Sequence, residues 1–191
     1  MKIKKKVFWF DVETTGLDHL KNGIIQLSYI IEIDGKIEKK RNFFVRPPKF
    51  TIIDNQALSV TNTKPEDLQN YMPFEIVFNN LISDLDLYVD KFETTDKFYM
   101  AGYNVTFDER FLRRFFKINN HKYFGSYFNN KKIDVFGFVD VCIYCDIIPN
   151  IKSRKLSELC DLFSIPLNAH DSSSDIQATR DLFYLLKNYI R

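Results

Sequence analysis

Val7 to Val12 is almost wholly apolar, and it ends in Phe10-Asp11-Val12-Glu13-Thr14-Thr15-Gly16. A run of this kind marks a strand buried on both faces. Side chains alternate along a strand, so Asp11 and Glu13 point to one face. Two carboxylates aimed at one spot beside a core strand repel each other and lose hydration unless a cation lies between them. Oxygen ligands of this type suit Mg²⁺ or Mn²⁺. The plainer alternative is a strand end whose acids dip into solvent.

Two further segments carry acids at the edges of regular elements. In Gly102-Tyr103-Asn104-Val105-Thr106-Phe107-Asp108 a strand leaves the sheet and turns into a helix. There Asp108 and Glu109 would complement the helix dipole, and Thr106-x-x-Glu109 fits a capping box. In Ala169-His170-Asp171-Ser172-Ser173-Ser174-Asp175 a loop histidine precedes the last helix, with Ser172-x-x-Asp175 as a second capping box. This spacing keeps Asp175 on the helix and His170 on a movable loop, the place for a general base. Four acids facing one another would repel by several kcal/mol. Two divalent ions about 4 Å apart would resolve that and create a phosphoryl-transfer site.

The rest of the chain reads as an antiparallel meander followed by alternating elements. Strands are predicted over Lys5–Glu13, Gly23–Ile33 and Lys36–Val45, with an Asp34-Gly35 hairpin turn and a stop at Pro47-Pro48. A short element lies near Pro65–Gln69, a helix spans Pro73–Phe92, a strand Lys97–Tyr103 and a helix Phe107–Lys117. Asn119–Lys132 reads as a loop, and helices follow over Phe136–Ile147, Lys155–Phe163 and Ser172–Ile190. This order gives an α/β fold, a mixed sheet flanked by helices.

The 191 residues are 45% hydrophobic, enough for one α/β domain over residues 1–191. A net charge of +2 is too small for charge alone to hold nucleic acid. Local patches must do so: Lys2 to Lys6, Arg110 with Arg113 and Arg114, and Lys152 with Arg154 and Lys155. No apolar run approaches the ~20 residues of a membrane span. Asp11 and Glu13 also cut the first run too short for a signal peptide. Cys142, Cys145 and Cys160 agree with a reducing compartment, and cytoplasm is the expected location. Cys142-x-x-Cys145 lacks a second pair and reads as core packing. Gln26 to Ile30 faintly resembles a clamp-binding peptide, an accident of a strand sequence.

Together, Phe10 to Leu17, Gly102-Tyr103-Asn104 with Phe107-Asp108, and His170 with Asp175 resemble the DnaQ-like 3′–5′ exonucleases, the DEDD class with a catalytic histidine. Ala57 to Thr61 and Lys155 to Leu159 extend the similarity over nearly the whole chain. The resemblance implies an RNase H-like mixed β-sheet flanked by helices. It makes Asp11, Glu13, Asp108 and Asp175 the ligands of two Mg²⁺ or Mn²⁺ ions, one activating water and the other stabilising the leaving 3′ oxygen. His170 would be the general base. Thr14, Thr15, Gly16 and Leu17 would cradle the terminal nucleotide, with Leu17 against its base unless it packs in the core, and Asn104 would touch the backbone near the scissile phosphate. Many relatives carry His-Gly where Thr61-Asn62 stands, so Thr61 gives a smaller substrate contact. Ser172 to Ser174 replaces more apolar residues, which is expected to change loop mobility and not chemistry.

The expected activity is removal of nucleoside 5′-monophosphates from the 3′ end of single-stranded or frayed DNA, in proofreading or repair. The enzyme is expected to act either alone or with a DNA polymerase as its protein partner, and no membrane is involved. One alternative is an exoribonuclease of the same fold, oligoribonuclease-like or tRNA-trimming, selecting through the 2′-OH. Another is an inactive nucleic-acid-binding module.

Overall fold

The computed structural model describes residues 4–190. Its strands are β1 (Lys6–Thr14), β2 (Ile24–Ile33), β3 (Lys36–Arg46), β4 (Met72–Pro73), β5 (Phe98–Gly102) and β6 (Phe128–Asp134). Its helices are α1 (Asn55–Val60), α2 (Phe74–Asp86), α3 (Val105–Ile118), α4 (Phe124–Tyr127), α5 (Val135–Tyr144), α6 (Leu156–Phe163) and α7 (Ser172–Tyr189). The strands form one mixed sheet in the order β4-β3-β2-β1-β5-β6. β1 runs antiparallel to β2 and parallel to β5. Thus the acid-bearing strand lies at the centre, as its apolar run requires.

Alternation along β1 supplies both cores. Phe8, Phe10 and Val12 join α2 and α3 residues such as Val77, Phe78, Leu112 and Phe115 on one face. Val7 and Trp9 join α5 and α7 through Val135, Val139, Ile176 and Leu182 on the other. Asp11 and Glu13 follow the parity of Trp9, so they emerge toward α7. The hairpin forms at Asp34-Gly35, both in the left-handed region that a two-residue turn of this kind needs.

Several boundaries differ from expectation. The predicted Asn119–Lys132 loop contains α4 and the start of β6, because Phe124, Tyr127 and Phe128 are drawn into the core and Phe128 pairs with Phe98. α2 ends at Asp86 and not at Phe92: the Asp90 carboxylate accepts from the Phe92 amide (3.0 Å), making a local turn that competes with helix. Thr106 does not cap α3, which already starts at Val105 after a left-handed Asn104. Ser172 does not cap α7; the cap is Asp171, whose side chain accepts from the Ser173 amide. Met72–Pro73 adds a short parallel strand against Val45–Arg46 that was not expected. Cys142 is buried in the core beside α7, whereas Cys145 is exposed. Gln26 to Ile30 is buried in β2, so that clamp-like stretch is sheet. Lys2 of the first basic patch, and residues 1–3 and 191 of the predicted domain, lie outside the described residues. Among the described residues no helix is long and apolar enough to cross a membrane.

Candidate active site

β1 and β5 pair only as far as Trp9 and Ala101. Beyond that point β5 turns away into α3, through a glycine that must be small: a Cβ on Gly102 would lie 3.0 Å from the Phe10 carbonyl oxygen. The split opens a cleft at the carboxyl end of the central strand. The Val12 amide, left without a strand partner there, donates to Asp108 Oδ1 at 3.1 Å. Asp108 is therefore held from the first turn of α3, buried against the strand that carries Asp11 and Glu13.

From the other side, α7 brings Asp175. One oxygen from each of Asp11, Glu13 and Asp175 lies within 4.8 Å of the other two. Asp108 stands outside this trio, facing the Val12 amide, but close enough for its charge to act on Asp11 and Glu13. Burial, then Asp108, Glu13, Asp175 and Asp171, push the Asp11 carboxyl well above its ordinary value. Burial and the charges of Asp175, Asp108 and Asp171 push Glu13 up to about 8. Burial raises Asp108 to about 8 against the hydrogen bond from Val12. Burial raises Asp175 to about 6, opposed by His170. Such crowding holds protons at neutral pH unless a cation replaces them. The donor set is all carboxylate, which fits Mg²⁺ or Mn²⁺.

His170 is exposed and left-handed, with φ of 66°. Its amide donates to Asp175 Oδ2 at 3.2 Å, while its imidazole makes no hydrogen bond among the described residues. Asn104, also exposed and left-handed, has its amide tied to Asp134 Oδ1 at 3.1 Å, and its side chain stays clear of the helix cap. Leu17 is 84% exposed, which excludes the core alternative. Thr14 is buried and its hydroxyl donates to the Gly16 carbonyl at 2.7 Å. Gly16 is buried with it.

Thr15 differs from expectation. It is wholly buried, and its hydroxyl donates to the Ile52 carbonyl (2.7 Å) and accepts from the Gly23 amide (3.0 Å). It has no surface for a nucleotide and instead pins the loop that presents Leu17. Thr61 closes α1, its hydroxyl donating to the Leu58 carbonyl at 3.1 Å.

Two acids near the site were not foreseen. Asp134, the cap of α5, accepts from the Asn104 and Phe136 amides and raises Asp108. Asp171, the cap of α7, raises Asp11, Glu13 and Asp175. The signal available for both was an aspartate standing just before a helical run. Glu109 turns away to Arg113 and Lys132. Of the basic patches, Arg154 pairs with Asp140, and its carbonyl accepts from the Tyr103 hydroxyl beside Asn104.

A cluster of acids at the carboxyl end of the central strand of a mixed sheet flanked by helices is the arrangement of the RNase H-like exonuclease fold. The chain belongs to the RNase_T exonuclease family, whose model matches residues 8–183, and has the DnaQ-like exonuclease fold. It is 26% identical over 180 residues to the PolC-type DNA polymerase III of Latilactobacillus sakei, covering 93% of this chain and 11% of that protein. With the PolC-type DNA polymerase III of Mycoplasmopsis pulmonis it is 23% identical over 185 residues, covering 95% and 11%. The chain thus spans about a tenth of the length of these curated relatives. In fold it is similar to the zinc-bound form of the E. coli exonuclease I–ssDNA complex, with TM-score 0.81, 20% identity, and 96% of this chain and 40% of that one covered. The exonuclease I of Methylocaldum szegediense gives a TM-score of 0.79 at 18% identity, covering 96% and 40%.

Proposed function

We propose that the chain hydrolyses the terminal phosphodiester at the 3′ end of single-stranded or frayed DNA, releasing nucleoside 5′-monophosphates one at a time. The observation that carries this reading is the convergence of Asp11, Glu13 and Asp175 within 4.8 Å at the strand end, with Asp108 behind them. Asp11, Glu13, Asp108 and Asp175 would hold two Mg²⁺ or Mn²⁺ ions, which supply an activated water and charge stabilisation for the leaving oxygen.

The chain's own residues do the rest. His170, beside Asp175 on a segment outside regular structure, takes the proton from the attacking water. Leu17 covers the terminal base from the loop that Thr15 and Thr14 hold. Asn104 meets the backbone near the scissile phosphate, and Thr61 makes a smaller substrate contact. A pocket that receives an unstacked base favours unpaired ends, the physical basis of proofreading. Likeness to two PolC-type DNA polymerases and to an exonuclease I–ssDNA complex supports DNA as substrate and a polymerase as partner.

The deciding experiment is a 5′-labelled ladder assay on matched single-stranded DNA, duplex DNA and RNA, with Mn²⁺ and with EDTA. Stepwise 3′ shortening of single-stranded DNA that stops in EDTA is expected. Faster shortening of RNA would reassign the substrate, and binding without shortening would leave only a binding module.

A further inference from the structure

The sheet face that carries Asp11 and Glu13 continues one strand over with polar groups. In the β1–β2 register Asp11 stands opposite Ser28 and Glu13 opposite Gln26, and in the β2–β3 register Ser28 stands opposite Asn42. Gln26, Ser28 and Ser172 are 5%, 1% and 0% exposed. Polar side chains so buried must be paired, and these are paired with one another.

The bonds close a ring. Asn42 Oδ1 accepts from Ser28 Oγ at 3.1 Å and from Gln26 Nε2 at 3.0 Å. Gln26 Nε2 gives its second proton to Asp171 Oδ1 at 2.7 Å. Ser172 Oγ donates to Ser28 Oγ at 2.7 Å. The peptide bond from Asp171 to Ser172 completes the circuit. Two strands are thereby bolted to the two residues that follow His170.

Asp175 does not need this ring, because α7 is independently held in the core by Ile176, Leu182 and Leu186. His170 does need a fixed neighbour. Its left-handed backbone, uncommon for any residue but glycine, is kept in place by the surrounding structure. The ring is buried at Ser28 and Ser172 and reaches the surface at Asn42, and its directional bonds fix positions in a way that apolar contacts of the same area would not ensure. Ser174 adds to the hold, its hydroxyl accepting from the Asn168 amide at 2.7 Å.

We propose that Gln26, Ser28, Asn42 and Ser172 form a positioning ring that fixes the residue after His170 and so sets the approach of its imidazole to the acid cluster. The proposal rests on the general-base reading of His170 above. The serine run after His170 is then part of the chemistry's support, which was not expected of it.

The test uses Gln26→Leu and Asn42→Ala, each alone and combined with His170→Ala, with steady-state cleavage of a labelled DNA oligonucleotide and calorimetric Mn²⁺ titration. Each single variant should lower kcat on the order of 10- to 100-fold, with KM and Mn²⁺ affinity within about twofold of wild type. In the His170→Ala background neither should lower kcat further. Asn42 lies at the exposed rim, so its variant carries the test alone if Gln26→Leu melts at assay temperature. Wild-type kcat in the ring variants, or losses that multiply with His170→Ala, would overturn the ring and leave the exonuclease reading intact. An unimpaired His170→Ala would instead overturn the general-base reading, and the ring with it.

Discussion

The Val12 amide donates to the Asp108 carboxylate at 3.1 Å, where β5 has just left the central strand. One bond thus closes the wound made by opening the cleft and ties α3 to the strand bearing Asp11 and Glu13. Asp108→Asn keeps an acceptor for that amide, whereas Asp108→Ala leaves it buried and unpaired. Both variants should lose cleavage. In urea denaturation without metal, Asp108→Ala should be less stable than wild type by about 1–3 kcal/mol, and Asp108→Asn should match or exceed wild type. Equal stability of the two variants would remove the structural half of this role.

The acid cluster also sets how metal-free stability depends on pH. Glu13 and Asp108 sit near 8 and Asp175 near 6, all above ordinary carboxylate values. The folded state therefore holds protons that the unfolded chain has released. The cluster's contribution to stability is greatest at acid pH, falls as pH rises from about 4 through 8, and then levels off. Melting temperature in EDTA should follow that course between pH 5 and 9, and Mn²⁺ should restore it most at the alkaline end. A profile rising with pH would contradict the crowding.

Asp11→Ala removes the carboxylate crowded by Asp108, Glu13 and Asp175. Cleavage should be abolished, while the metal-free protein melts at or above the wild-type temperature and gains little on adding Mn²⁺. Differential scanning calorimetry with and without the ion checks this, and a wild-type response to Mn²⁺ would take Asp11 out of the ligand set.

How much of this was legible in the sequence depended on range. The central strand, the meander and the last helix were readable because apolar periodicity reports burial directly, as in Val7–Val12. β6 was not: it is an edge strand whose Asn130, Lys131 and Lys132 are exposed, so its pairing with β5 comes from Phe124, Tyr127 and its own first residue Phe128 entering the core. The resemblance named the carboxylates that meet, but not which neighbours hold them. Asp134 and Asp171 cap helices through contacts set by the turn geometry, and the Gln26–Asp171 bond joins residues 145 positions apart. Such pairings leave no periodic trace.

Leu17 and Thr15 are two residues apart, yet one is 84% exposed and the other wholly buried. Their variants should separate binding from folding. Leu17→Ala removes only surface, so stability should stay within about 0.5 kcal/mol of wild type. If its side chain covers the terminal base, KM for a single-stranded oligonucleotide should rise roughly 10- to 100-fold, from loss of about 1.5–3 kcal/mol of apolar contact. Thr15→Val keeps the shape but strands the Gly23 amide and leaves the Ile52 carbonyl with Asn22 Nδ2 as its donor, so it should lose about 1–3 kcal/mol of stability. Thermal melts and steady-state kinetics on both variants give the comparison. An unchanged KM in Leu17→Ala would take the base contact away from Leu17, and an undiminished melting temperature in Thr15→Val would mean that the loop is held by other bonds, such as that from Asn22 Nδ2 to the Ile52 carbonyl.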